Sequence, residues 1–195
     1  PEGEALEREW AEFNGSKHAM AFNTGTAALH TALFAAGVGP GDEVITSAFS
    51  FSGSYNPILQ QGAIPIFVDI DPRTYNLNVS EVEAKITDRT KALLPVDIHG
   101  LPADMDEIRA LAQNHNLVVV EDACQAHGAT YKGRMAGTLG DLGCFSLNAT
   151  KNLAGGEGGL LLTDNDQFVK RAEMFRTFGE RVGEEKEAFR PYYSY

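Results

Sequence analysis

The chain has 195 residues, one domain or slightly more, and 43% of them are hydrophobic, enough to bury a core without a disulfide or metal staple. Its 16 basic and 27 acidic residues sum to a formal charge of −11, which argues against a nucleic-acid partner, although a local basic patch could still hold a single phosphate. No apolar run approaches the ~18 residues of a membrane span, residues 1–12 are too polar for a secretory signal, and Cys124 and Cys144 are too few for a disulfide framework, so a reducing cytoplasm is the expected compartment.

Residues 4–14 (E-A-L-E-R-E-W-A-E-F-N) have helical periodicity, with Leu6, Trp10 and Phe13 on one face and an acidic face opposite. Residues 18–22 read as a short strand broken by Asn23-Thr24-Gly25, and residues 26–36 as an Ala-rich helix closed by Gly37. Strands are predicted at 43–46, 64–68 and 92–96, then an amphipathic helix around 104–114. The apolar run 117–120 leads straight into Glu121-Asp122. Strands at 144–147 and 159–163 and a helix over 166–178 complete the pattern. Short apolar strands alternating with longer helices predict a mainly parallel sheet with helices on both faces, a three-layer α/β/α domain. Ligands of such sheets bind beyond the carboxyl ends of the strands.

Three segments stand at those ends. In Asn23-Thr24-Gly25-Thr26-Ala27-Ala28 a glycine turn feeds a helix N-terminus, whose free N–H groups and dipole suit a phosphate. The same turn is also an ordinary strand-to-helix connection, and it lacks the G-x-G-x-x-G spacing of a dinucleotide fingerprint. Asp122 ends an apolar strand, so its carboxylate needs a cationic partner in a partly dry place; the plain alternative is a helix N-cap. Lys151 comes after the strand at 144–147 and precedes the glycine cluster 155–159, a placement equally open to a solvated surface lysine. Together they have a chemical logic. Pyridoxal phosphate needs a lysine for its Schiff base, an acid against its pyridine nitrogen and a cradle for its phosphate.

The runs that carry these residues resemble one family: A-L-E-R-E-W-A-E-F, N-T-G-T-A-A-L, G-D-E-V-I-T, F-V-D-I-D, E-D-A-C-Q-A-H-G-A, and F-S-L-N-A-T-K-N-L with G-G-E-G-G after it. In that order they resemble the DegT/DnrJ/StrS sugar aminotransferases, within the type I fold of pyridoxal-phosphate enzymes. The resemblance implies that Lys151 carries the cofactor and shuttles protons, that Asp122 faces the pyridinium, and that Gln125 lies near the ring hydroxyl. It places Thr26, Ser146 and the backbone N–H of Ala27 at the phosphate, and the Phe51 ring on the cofactor; as a bare residue Phe51 reads equally well as core. No role is implied for His127, for Asn148, where a common version of the family has His, or for Asp97, where many relatives carry His.

The implied reaction moves an amino group from an amino acid such as glutamate to the keto group of a nucleotide-linked sugar, in a homodimer. An amino-aromatic-forming branch and a non-catalytic cofactor-binding or regulatory protein are the alternatives. Lysine at 151 disfavours the sugar-dehydratase branch, which resembles the family but carries histidine there. Members are roughly twice this length, so residues 1–195 are expected to be the large cofactor domain, ending near Arg190–Tyr195 where a second domain should begin.

Overall fold

The computed structural model describes residues 2–177 and 179; the aromatic end at 190–195 lies outside the described residues. The elements, in chain order, are helix α1 (Glu2–Asn14), strand β1 (His18–Phe22), α2 (Gly25–Ala35), β2 (Glu43–Ser47), α3 (Asn56–Gln60), β3 (Ile64–Val68), α4 (Val79–Val82), β4 (Thr90–Leu94), α5 (Met105–His115), β5 (Val118–Asp122), the short hairpin β6 (Thr130–Tyr131) and β7 (Arg134–Met135), β8 (Leu142–Ser146), β9 (Gly159–Thr163) and α6 (Asp166–Arg176). Seven strands form one sheet in the order β1-β9-β8-β5-β4-β2-β3. Strands β3, β2, β4, β5 and β8 pair in parallel. β9 pairs antiparallel with both β8 and β1, so it alone runs against the rest. The sheet is therefore mainly parallel, in three layers.

Alternation along each strand assigns its two faces. Cys144 and Leu161 pack with Ala28, Leu29, Ala32 and Leu33 of α2 and with Ala172 of α6. Their strand neighbours Phe145, Leu160 and Leu162 face the other way, onto Trp10 of α1. Further along the sheet, Leu93 and Val119 meet Met105, Ile108 and Ala112 of α5, together with Val79 and Val82 of α4. Helix α2 is apolar nearly all round because it lies between the sheet and two other helices, α3 and α6. β2, β8 and β9 are buried along their whole length, as strands covered on both faces must be.

Three expected strands are found with the expected bounds, at 18–22, 64–68 and 159–163. The antiparallel sense of β9 and the elements α3, α4, β6 and β7 are additions that the sequence pattern does not predict.

Candidate active site

A cavity of about 440 Å3, a size suited to a small cofactor, opens at the carboxyl edge of the sheet. Its walls come from the start of α2 (Thr24, Gly25, Thr26), the loop after β2 (Phe51, Gly53, Ser54), the end of β5 and the turn beyond it (Asp122, Cys124, Gln125), and the end of β8 with the glycine loop (Ser146, Asn148, Thr150, Lys151, Glu157). All four segments lie where the sheet rule puts a ligand.

Helix α2 presents its first turn to this space. Thr24 caps it in extended backbone, its hydroxyl accepting the Ala27 N–H at 3.0 Å. That bond changes one expectation. Ala27 is the third helical residue, the one whose N–H the cap claims, and it does not line the cavity. The donors without a partner among the described residues are the N–H groups of Gly25 and Thr26, one and two residues earlier. Gly25 is there because nothing larger fits: a Cβ would stand 2.8 Å from Ser146 Cβ and 2.9 Å from Cys124 Sγ. The helix start thus presses against the end of β8, which brings the Ser146 hydroxyl beside the free N–H groups.

Asp122 is the last residue of β5 and only 3% exposed. No helix begins at it, so it is no N-cap. The expected cation is also missing: among the described residues no lysine or arginine pairs with Asp122. Its Oδ2 accepts the Ser54 hydroxyl at 2.6 Å, and its Oδ1 accepts the Cys124 N–H at 3.1 Å. Each oxygen keeps a lone pair for another donor. Ser54 is itself buried and hydrogen-bonded to Ser50 at 2.6 Å. Sequence reasoning misses Ser54. The only local sign is the density of hydroxyls in Ser50-Phe51-Ser52-Gly53-Ser54, and its partner lies 68 residues away.

Lys151 lines the same cavity, and its amine makes no hydrogen bond or ion pair with any described residue. Gln125 uses its Oε1 to accept the His99 N–H at 2.8 Å, which leaves the amide NH2 as its free donor. Phe51 is 70% exposed at the cavity wall, so it is not a core residue. Asn148 donates to Glu157 at 2.8 Å and accepts from the Thr150 N–H and hydroxyl, fixing the loop between Ser146 and the glycine cluster. His127 packs against Trp10 and Phe145 and stays outside the cavity. Burial pushes the Cys124 and Cys144 thiols well up, so both are protonated and unreactive at neutral pH.

These residues suit pyridoxal phosphate. A buried carboxylate without a cation and a lysine amine without a partner, both among the described residues, and N–H groups at a glycine packed too tightly for a Cβ all meet one space. With its three-layer fold, the chain has the build of a type I pyridoxal-phosphate enzyme. It belongs to the DegT/DnrJ/EryC1/StrS aminotransferase family, whose profile matches residues 1–193, and that family works with pyridoxal phosphate. It is 50% identical to the spore coat polysaccharide biosynthesis protein SpsC of Bacillus subtilis over 92% of this chain and 46% of that protein. It is 47% identical to the GDP-perosamine synthase of Caulobacter vibrioides over 89% of this chain and 47% of that protein. Among solved structures, an aminotransferase from Psychrobacter cryohalolentis superimposes with a TM-score of 0.87 at 43% identity, over 89% of this chain and 44% of that one. The chain therefore spans about half the length of the curated relatives it matches.

Proposed function

We propose that residues 1–195 are the cofactor-binding large domain of an aminotransferase that moves an amino group from an amino acid, glutamate in the first instance, to the keto group of a nucleotide-linked sugar. The observation that carries this reading is the meeting of Asp122 and Lys151, a buried carboxylate and an amine that have no cation and no partner among the described residues, on the walls of one cavity. When bound, pyridoxal phosphate supplies an electron-accepting ring that stabilises negative charge on the substrate carbon.

The chain's own groups divide the remaining work. Lys151 Nζ would hold the cofactor covalently and, once released from it by the amino substrate, would give and take the proton at the reacting carbon. Asp122, held by Ser54 and the Cys124 N–H, would accept the ring N–H and so favour a positively charged ring nitrogen. The free amide of Gln125 donates to the ring hydroxyl, and the exposed Phe51 ring covers one face of the cofactor. Gly25 and Thr26 offer backbone N–H groups to the phosphate, with the Thr26 and Ser146 hydroxyls beside them; the α2 dipole favours the anion there. The rest of the whole protein supplies a second domain. The whole protein is read as cytoplasmic and works as a homodimer; Phe49, Phe51, Tyr75 and Leu101, each 46% exposed or more, support the second copy, because they otherwise leave an apolar rim uncovered.

Lys151→Ala and Asp122→Asn separate the two roles in the full-length protein. Lys151→Ala should abolish the visible band of the covalently held cofactor and all turnover while the fold persists. Asp122→Asn should keep the covalent band and lose turnover by orders of magnitude. Borohydride reduction and peptide mapping should label Lys151; a label on Lys132 or Lys170 would overturn the assignment.

A further inference from the structure

Asp122 is not the only carboxyl buried at this edge of the sheet. Glu121, its neighbour on β5, and Asp97, just past the end of β4, are each 0% exposed, and neither pairs with a cation among the described residues. The Asp97 N–H bonds to the Asp122 carbonyl at 3.0 Å, so the two strand ends are laced together at this point. Asp97 and Glu121 stand at the ends of neighbouring strands and interact electrostatically, and two such carboxyls without a cation among the described residues are not both ionised in a dry interior.

The donors decide which one keeps the charge. Glu121 accepts three backbone N–H groups: Gly137 at 2.6 Å, Leu139 at 2.8 Å and Gly140 at 2.9 Å. Asp97 accepts one, from Ala103 at 3.0 Å on Oδ1, and its Oδ2 has no donor among the described residues. A buried oxygen with no protein donor beside a second buried carboxyl is satisfied by a proton of its own, donated to that neighbour. Three donors stabilise a carboxylate far better than one.

We propose that Asp97 and Glu121 share one proton, carried on Asp97 Oδ2 and donated to ionised Glu121, and that this acid pair positions the cavity edge bearing Asp122 and Gln125. The pair ties three segments together. Asp97 holds the 97–103 turn, where the His99 N–H bonds to Gln125. Glu121 holds the 137–140 turn beneath the start of β8. β5, with Asp122 at its tip, lies between them. Burial pushes the Asp97 carboxyl well above the usual carboxylate range, and the nearby Glu121 charge adds to the push. Burial also raises Glu121, while the backbone N–H groups and Asp97 pull it back down. The charged groups facing Asp97 are Glu121 and Asp122 of β5; Cys144 of β8, which faces those same two, stays a neutral thiol.

The positioning role rests on the aminotransferase reading. The shared proton does not, and its two measurements, an infrared band and a stability profile, make no reference to the cofactor. In the full-length protein at neutral pH, the infrared carbonyl band of a protonated carboxyl should be present and should vanish in Asp97→Asn. A carboxyl neutral in the fold takes up a proton on folding, so its stabilising effect is complete below ~pH 3.9 and is lost as pH rises. Wild-type thermal stability should therefore fall with rising pH relative to Asp97→Asn, which cannot ionise. For positioning, Asp97→Ala should weaken cofactor retention roughly tenfold, the worth of one charge-assisted hydrogen bond. Asp97→Asn, which keeps a donor toward Glu121, should restore it. A band that persists in Asp97→Asn, or a stability gap that does not change with pH, would overturn the shared proton. Asp97→Asn binding the cofactor as poorly as Asp97→Ala would overturn the positioning role.

Discussion

Ser54 shows how much of a site can rest on a residue with no chemistry of its own. Its hydroxyl is one of two donors to the Asp122 carboxylate among the described residues, and it is buried against it at 2.6 Å. A hydrogen bond to a charged group is worth about 1.5–3 kcal/mol. In Ser54→Ala the carboxylate keeps only the Cys124 N–H, so its orientation and its charge are both less well held. If that loss falls on the reacting state, the full-length enzyme should turn over roughly tenfold to a hundredfold more slowly. Substrate KM should change little, because Ser54 reaches only Asp122. An unchanged kcat in Ser54→Ala would mean that the Cys124 N–H alone suffices. Lys151 and Asp122 are legible in the sequence because each comes after an apolar strand in a distinctive run. Ser54, Asp97 and Glu121 are not, since what matters about them is a partner far away in the chain, or the absence of one.

The elements divide in the same way. The long periodic segments that form α1, α2, α5 and α6 are legible, and so are the strands packed on both faces. α3, α4 and the β6–β7 hairpin are five residues or fewer per element, too short to show a period. The sense of β9 is hidden because the glycine loop before it can serve a hairpin or a crossover. The most consequential difference is a single residue at the start of α2: a helix beginning at Thr26 instead of Gly25 would move the phosphate donors to Ala27. That start is fixed by contact. A methyl group at residue 25 would meet the Ser146 side chain and the Cys124 thiol below 3.0 Å, and the Ser146 backbone at 3.1 Å. Gly25→Ala should therefore push α2 off the end of β8, at a cost of about 1–3 kcal/mol in stability. It should also weaken phosphate anchoring, so free inorganic phosphate should compete less well with the cofactor in the variant. Unaltered competition would show that the phosphate lies elsewhere.

Every group of the candidate site belongs to the described part of this chain, and so do both helical layers that enclose the sheet. Cofactor binding should therefore be a property of residues 1–195 themselves, while affinity depends on the rest of the protein. A ligand that binds only the folded state stabilises it by about 2.7 kcal/mol at a hundred times its Kd. For a domain of this size each kcal/mol moves Tm by roughly 2–4 °C. Saturating pyridoxal phosphate should thus raise the Tm of the 195-residue chain by about 5–10 °C, and Lys151→Ala should remove most of that shift. The exposed rim sets the second half of the prediction. Phe51 at 70% exposure lends only one face of its ring to a ligand, and a second copy that covered this edge would exclude water from the cavity mouth. In the full-length protein the shift should accordingly appear at lower cofactor concentration, and Tm should rise with protein concentration as it does for dimers whose folding and association are linked. A cofactor-dependent shift in the full-length protein with none in the 195-residue chain would mean that these cavity walls are insufficient by themselves. A Tm independent of protein concentration would remove the second copy from the account.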